Sequence, residues 1–219
     1  MNDRLTWTED DPHREEQLHE RLVAGDEGVL GELFDIHRER LWRMVQFRMD
    51  RRLAARVDAD DVLQESFVNA ASRVQHYLED PTRSLFVWFR LIVAQTLVDV
   101  YRRHIGAEMR DAGREVSLQG MRYPQATSVS LAAELLGSIT SPSHAAQRAE
   151  VSEQLQQALK SMSDLDQEVI ALRHFEDLTN SEVSEVLGIQ PTAASNRYVR
   201  ALTRLKDVLS QFPEFSGEG

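Results

Sequence analysis

An all-α fold is what this sequence predicts, on three observations. Along most of the 219 residues, apolar side chains recur at intervals of three and four, the spacing of a single helix face. No stretch of any length alternates apolar and polar residues as a half-buried strand does. Helix punctuation brackets the periodic segments, with Asp58, Ser163 and Thr179 at starts and Gly188 at a stop.

Residues 1–15 are expected to be disordered. From Glu16 a helical pattern carries Leu18, Leu22 and Val23 on one side, and Gly25 breaks it. Val29, Leu30, Leu33 and Phe34 open a second helix, which runs through Leu41, Met44, Val45 and Phe47 to a basic end at Arg48, Arg51, Arg52 and Arg56. Those arginines can solvate the surface, steer DNA or pair with acidic neighbours, and the sequence leaves all three open.

ARVDADDVLQESFVNAASRVQHYL reads as one helix capped near Asp58, with Leu63, Phe67, Ala70, Ala71, Val74 and Leu78 as its buried stripe. Asp61, Glu65 and Ser72 project oppositely, with Gln64 at the margin. Carboxylates four residues apart repel, so Asp61 and Glu65 add nothing locally. The face is either solvated or an acidic docking surface, and spacing alone favours the first.

After a turn at Pro81 comes the most apolar segment, LFVWFRLIVAQTLVDVYRRH. Phe89, Leu91, Val93, Ala94, Leu97, Val98, Val100 and Tyr101 make a broad apolar arc. Trp88, Ile92, Gln95, Thr96, Asp99, Arg102 and Arg103 fall on the other arc. A tryptophan there either packs on a neighbouring helix or stacks on an unpaired base. Both readings stand.

Residues 106–147, rich in Ser, Ala and Gly with scattered prolines, are expected to form a linker with a short helix around 130–136. Beyond it, Val151, Leu155, Leu159 and Met162 mark one amphipathic helix, and Leu165, Val169, Ile170 and Leu172 the next. LTNSEVSEVLGIQPTAASNRYVRALTRLK then reads as a helix-turn-helix. Thr179 and Glu182 have capping-box spacing, Gly188 suits a left-handed stop, and Pro191 suits a first turn. In the second helix Ala194, Tyr198, Ala201, Leu202 and Leu205 face the core, leaving Arg197, Arg200 and Arg204 on an exposed arc beside Asn196. Donors clustered on that helix favour contact with a DNA groove over an ordinary solvated face.

The net charge of −11 argues against a protein that coats nucleic acid unaided, but the charge is segregated. Residues 1–36 hold eleven acids against three arginines, whereas residues 187–206 hold four basic residues and no acid. DNA contact through chosen faces fits this distribution, as does plain solubility charge. With no cysteine there is no disulfide framework, thiolate metal site or cysteine nucleophile. The seven histidines show no metal spacing, and no phosphate loop or serine elbow is present, so neither an enzyme nor a cofactor is expected. The absence of a signal pattern or a long apolar run predicts a soluble cytoplasmic protein without membrane insertion.

DADDVLQESF, then LFVWFRLIVAQTLVDVYRR, then SMSDLDQEVIALRHFEDLTNSEVSEVLGIQPTAASNRYVRAL, in that order, resemble the extracytoplasmic-function (ECF) group of bacterial RNA polymerase sigma factors. AQTLVDVYRRHIGAEMRDAGREVSL further resembles the planctomycete-type group. The resemblance implies two helical domains joined by a flexible linker: a region 2 bundle at residues 16–105 and a region 4 helix-turn-helix at 148–211, with a tail at 212–219. It implies core RNA polymerase (β′ clamp helices and β flap) and promoter DNA as partners, and leaves room for an anti-sigma factor. The DxxQE positions, here Asp61, Gln64 and Glu65, would bind the clamp helices, which reverses the preference for a solvated face. Strand capture at the minus-ten element would fall to Arg83, Ser84, Trp88, Gln95, Thr96 and Asp99, with Arg102 and Arg103 on phosphates. The minus-thirty-five element would meet Ser195, Asn196, Arg197, Arg200 and Arg204.

The sequence departs from the family pattern at three places. Gln95 stands where Asn is usual, Ser195 where a basic residue is common, and Thr192-Ala193-Ala194 where Gly-Thr-Val opens the recognition helix. The expected function is promoter recognition, promoter melting and initiation. The alternative is a helix-turn-helix regulator acting without polymerase, usually at paired half-sites.

Overall fold

A computed structural model describes residues 12–49, 51–81, 83–105, 128–137, 145–212 and 215. Among them every regular element is helical, as the spacing predicts. Helix α1 (Pro12–Val23) leads through a 3-10 turn (Glu27–Val29) into α2 (Leu30–Arg48), followed by α3 (Arg51–Ala54). Helices α4 (Ala59–Ala71), α5 (Val74–Glu79) and α6 (Leu85–His104) complete a first bundle. After it come α7 (Ser128–Gly137), α8 (Ala145–Leu159), α9 (Asp164–Ile170), a π-helical turn (Ala171–Phe175), α10 (Asn180–Leu187) and α11 (Pro191–Leu209).

The first bundle closes because α2, α4 and α6 each bury one stripe. Leu33, Leu41, Val45, Leu63, Phe89 and Val93 have no exposed surface to speak of, and Phe34 meets Phe67 and Phe89 edge-on at 5.4 and 5.1 Å. Burying a side chain of this size contributes roughly 1.5–3 kcal/mol, so these six decide where the helices pack. Helix α1 is pinned to α2 by polar contacts as well: His37 Nε2 lies 3.2 Å from Glu15 Oε1, and Arg14 bonds Glu32. The His37 contact comes first among the causes that hold the Glu15 carboxyl below its usual range.

Four boundaries differ from expectation. Helix α1 starts at Pro12 rather than residue 16; residues 1–11 lie outside the described part. The expected single helix from Asp58 breaks between Ala71 and Val74, where Ser72 ends α4 and lets α5 turn Tyr77 inward. The short helix foreseen within residues 106–147 exists as α7, but Leu131, Ala132 and Leu136 share an apolar cluster with Leu155, Leu159 and Leu205. It packs as part of the second unit; residues 106–127 and 138–144 are outside the described part. Phe212, assigned to a tail, is buried in that same cluster with Phe215 against it.

The two units also share apolar contact. Leu172, Leu178, Val183, Val186 and Ala194 lie in one cluster with Leu33, Phe86 and Phe89, and Phe47 at the end of α2 stacks flat on Phe175 at 5.1 Å.

Candidate nucleic-acid and polymerase interface

On α4 the Asp58 side chain accepts from the Asp60 amide and fixes the helix start. The three residues foreseen as a docking set then face outward: Asp61 and Gln64 are exposed, and Glu65 is half-buried because Arg103 of α6 bonds both its oxygens. Val68, one turn beyond Glu65, is 65% exposed and extends that face with an apolar side chain.

Ser84 caps α6 by accepting from the Val87 amide. Trp88, one turn into the helix, is half-buried between Tyr77 at 4.9 Å and Phe89 at 5.1 Å. Tyr77 holds the loop as well as the indole, its hydroxyl lying 2.9 Å from His19 Nε2 and donating to the Arg83 carbonyl. Burial, then the nearby Glu185 charge, push the Tyr77 phenol up to about 12. Gln95 and Asp99 are exposed; Arg73 donates to Gln95, and Arg102 lies beside Asp99. Arg83 is exposed too, while Thr82 is outside the described part. Thr96 and Ile92 are buried at 1% and 4%, against the arc that helical spacing suggested. Packing of α4 across α6 takes them in, with Thr96 Oγ1 accepting from Asn69 and donating to the Ile92 carbonyl.

In the helix-turn-helix both halves of the capping box form: Thr179 Oγ1 accepts from the Glu182 amide, and Glu182 accepts from the Thr179 amide. Gly188 takes φ 64°, ψ 35°, and Pro191 opens α11. Ser195, Asn196 and Arg200 are exposed on α11. Arg204, 59% exposed, and Arg197, 33% exposed, also reach the Asp166 carboxylate, whose side chain is 3% exposed, so α9 holds both guanidinium groups in place. Leu202, read as a core residue, is 37% exposed, and Tyr198 is half-buried under the Arg173 guanidinium.

A group the periodicity did not single out joins the units. Arg48 Nε donates to Glu176 Oε1 at 2.6 Å, and its Nη2 to Glu168 Oε1 at 2.8 Å. Arg90 Nε donates to Glu176 Oε2 at 2.8 Å. The four side chains are 1%, 2%, 7% and 1% exposed for Arg48, Arg90, Glu168 and Glu176. Two cations and two anions balance, as buried charge requires. Burial pushes the Glu176 carboxyl up, but Arg48 and Arg90 outweigh it and hold it below its usual range. Desolvation likewise lowers the Arg48 pKa less than Glu176 and Glu168 raise it. Beside this quartet, Arg40 lies 3.6 Å over the Phe86 ring and donates to both oxygens of Glu182, the capping-box residue. Glu185 of α10 accepts from the Ser84 amide at 3.0 Å. The sequence signal for Arg90 was a lone guanidinium inside LFVWFRLIVA, costly in an apolar helix unless paired.

Among the described residues no helix is long and apolar enough to cross a membrane. Residues 152–205 match the family described as sigma-70, region 4. The RNA polymerase sigma factor YlaC of Bacillus subtilis (strain 168) is 25% identical over 156 residues, covering 71% of this chain and 80% of that protein. The ECF RNA polymerase sigma factor SigW of the same organism is 22% identical over 194 residues, covering 86% and 93%. Among solved structures, CnrH in complex with the cytosolic domain of CnrY shares the fold, with a TM-score of 0.51 at 21% identity over 90% of this chain and 98% of that one.

Proposed function

We propose that this chain, a member of the extracytoplasmic-function sigma factors, directs promoter recognition, promoter melting and transcription initiation by RNA polymerase. The observation that carries the reading is the region 4 match at residues 152–205, which contains α9, α10 and about four turns of α11 with Asn196 and Arg200 exposed. Homology to sigma factors along most of the chain extends it to the first bundle.

In this reading Asp61, Gln64 and Glu65 bind core polymerase. Arg83, Ser84, Trp88, Gln95 and Asp99 capture the unpaired strand, with Arg102 and Arg103 on its phosphates. Ser195, Asn196 and Arg200 meet the upstream element, and Arg197 and Arg204 position α11 there. Thr96 supports the capture face from below, through Asn69. An anti-sigma partner is consistent with the likeness to CnrH, which was solved with CnrY.

Opening DNA costs about 1.4 kcal/mol per stacked step, and each base stacked on an aromatic returns roughly 1–3 kcal/mol. One indole therefore offsets one or two steps, and the polymerase supplies the rest, so the factor needs no enzymatic chemistry of its own. Run-off transcription with purified core polymerase tests the function: the chain restores initiation from a defined promoter. Stable duplex binding without polymerase, and no transcript with it, would support the regulator instead.

A further inference from the structure

Arg73 touches a side chain assigned to strand capture. Its Nη1 donates to Gln95 Oε1 at 2.8 Å, and both side chains are exposed. A guanidinium has no acceptor, so the amide atom it meets is the oxygen, and the Gln95 amino group is turned the other way. The break between α4 and α5 makes this reach possible. Arg73 lies four residues beyond Asn69, seven beyond Ser66 and eleven beyond Val62, so an unbroken helix would carry it on the stripe where Val62 and Ser66 are fully buried. Helix α4 ends at Ser72 instead, and Arg73, with φ −118° and ψ 3°, stands at the N-cap of α5 on the surface. Beside it, Asn69 donates to the buried Thr96 hydroxyl and fixes the register of α4 on α6. Gln95 is thus oriented by a neighbouring helix rather than by its own.

We propose that Arg73 is a positioning residue for base choice: by holding the Gln95 oxygen it presents amide and guanidinium donors to the captured strand, and so disfavours adenine at the base Gln95 meets. The inference rests on the sigma-factor reading and on the capture role given to α6. Trp88 and Gln95 are seven residues apart, two turns and about 10 Å along one face of that helix. Stacked bases are about 3.4 Å apart, so the base on the indole and the base at Gln95 are different ones. A free glutamine amide suits adenine, its oxygen accepting from N6–H while its N–H donates to the adjoining ring nitrogen. With the oxygen turned to Arg73 that pairing is lost, and donors remain. Thymine, guanine and cytosine each offer a carbonyl oxygen to a donor. Adenine alone has none, and its amino group sits beside N1 and N7. An exposed hydrogen bond adds little to the fold, so its loss is expected to change base choice rather than stability.

The test uses holoenzyme assembled from the full chain and purified core polymerase. The templates derive from a promoter on which the wild-type holoenzyme initiates, with the downstream element unpaired and randomised, and the bound fraction is sequenced. Wild type is expected to deplete adenine by about fivefold or more at one position, the low end of what a well-made base contact discriminates. Gln95→Ala identifies that position by abolishing the depletion there. Arg73→Ala should restore adenine at the same position and leave the others unchanged, whereas Arg73→Lys, which keeps a donor, should retain the depletion. Gln95→Glu, an acceptor only, should enrich adenine and cytosine, whose amino groups donate. Far-UV helicity checks that each variant is folded. Adenine favoured by wild type at the position Gln95→Ala identifies overturns the proposal, as does a Gln95→Ala or Arg73→Ala profile identical to wild type. Arg73→Ala that weakens binding to every sequence alike makes Arg73 a phosphate contact and overturns it too. Failure of the sigma-factor reading shows separately, as wild-type chain that never restores initiation by core polymerase.

Discussion

Arg103 Nη2 lies 2.7 and 2.5 Å from the two carboxylate oxygens of Glu65, so a side chain assigned to promoter phosphates is bonded to one assigned to polymerase. Both are more than a third exposed, 38% for Glu65 and 55% for Arg103, and exposed pairs contribute no more than about 1 kcal/mol. Either partner can therefore leave for a competing ligand. Asp61→Ala with Glu65→Ala is expected to weaken binding to purified core polymerase by about tenfold or more, a loss of about 1.4 kcal/mol, with little change in melting temperature. Unchanged core affinity in that double variant would sink the docking assignment.

On α11 the arginines should separate by role. Arg200 is exposed and its Nε donates to the Asn196 carbonyl within the helix, so Arg200→Ala is expected to leave stability intact. It should weaken holoenzyme binding to a promoter by about 1–3 kcal/mol, or lower the salt slope by about one if its contact is a phosphate. Asp166→Ala frees Arg197 and Arg204 and should lower both the melting temperature and upstream-element affinity. Equal binding by Asp166→Ala and wild type would remove the positioning role.

Trp88→Ala removes the indole from between Tyr77 and Phe89. Initiation from duplex promoters should fall by one to two orders of magnitude, the rate equivalent of about 1–3 kcal/mol of stacking. A template already unpaired at the downstream element should recover most of it. If the unpaired template gives no recovery, the indole is a packing residue.

Glu176 gives a pH dependence with a definite sign. Its carboxyl titrates below the usual range in the folded chain because Arg48 and Arg90 outweigh the effect of burial. Its contribution is fully present above the ordinary glutamate pKa of about 4.3 and is lost as pH falls through the lower folded value. Urea midpoints should thus be steady from pH 7 to about 5 so far as this group is concerned, then decline, and Glu176→Gln should flatten the decline. A variant that declines as steeply as wild type would contradict the assignment.

Gly188 has φ 64°, and a Cβ built there meets nothing within 4 Å. Gly188→Ala is therefore expected to cost only the left-handed backbone penalty, about 1–2 kcal/mol by denaturant unfolding, and Gly188→Asn less. A loss above about 4 kcal/mol would point to a steric contact instead.

Local chemistry made much of this molecule legible in advance. Thr179, Glu182, Gly188 and Pro191 act through neighbours in sequence, and each takes the part its type and spacing foretold. Asp58 and Ser163 cap their helices for the same reason. Spacing fails where a second helix decides burial. Thr96 and Ile92 lie on what looks like a polar arc of α6, and only the approach of α4 buries them. Arg197 and Arg204 share an arc with Arg200, yet Asp166, more than thirty positions away, sets them apart. The bond from Arg48 to Glu176 spans 128 residues, beyond the range of any periodicity.

That same span has a temporal side. The ribosome adds about 5–20 residues per second, and Glu185 follows the end of α6 by 81 positions. During synthesis the first bundle is therefore complete roughly 4 to 16 s before the segment that covers Ser84 has been made. A nascent chain passes through a window in which the loop at Ser84, proposed above for strand capture, is not yet bonded by Glu185.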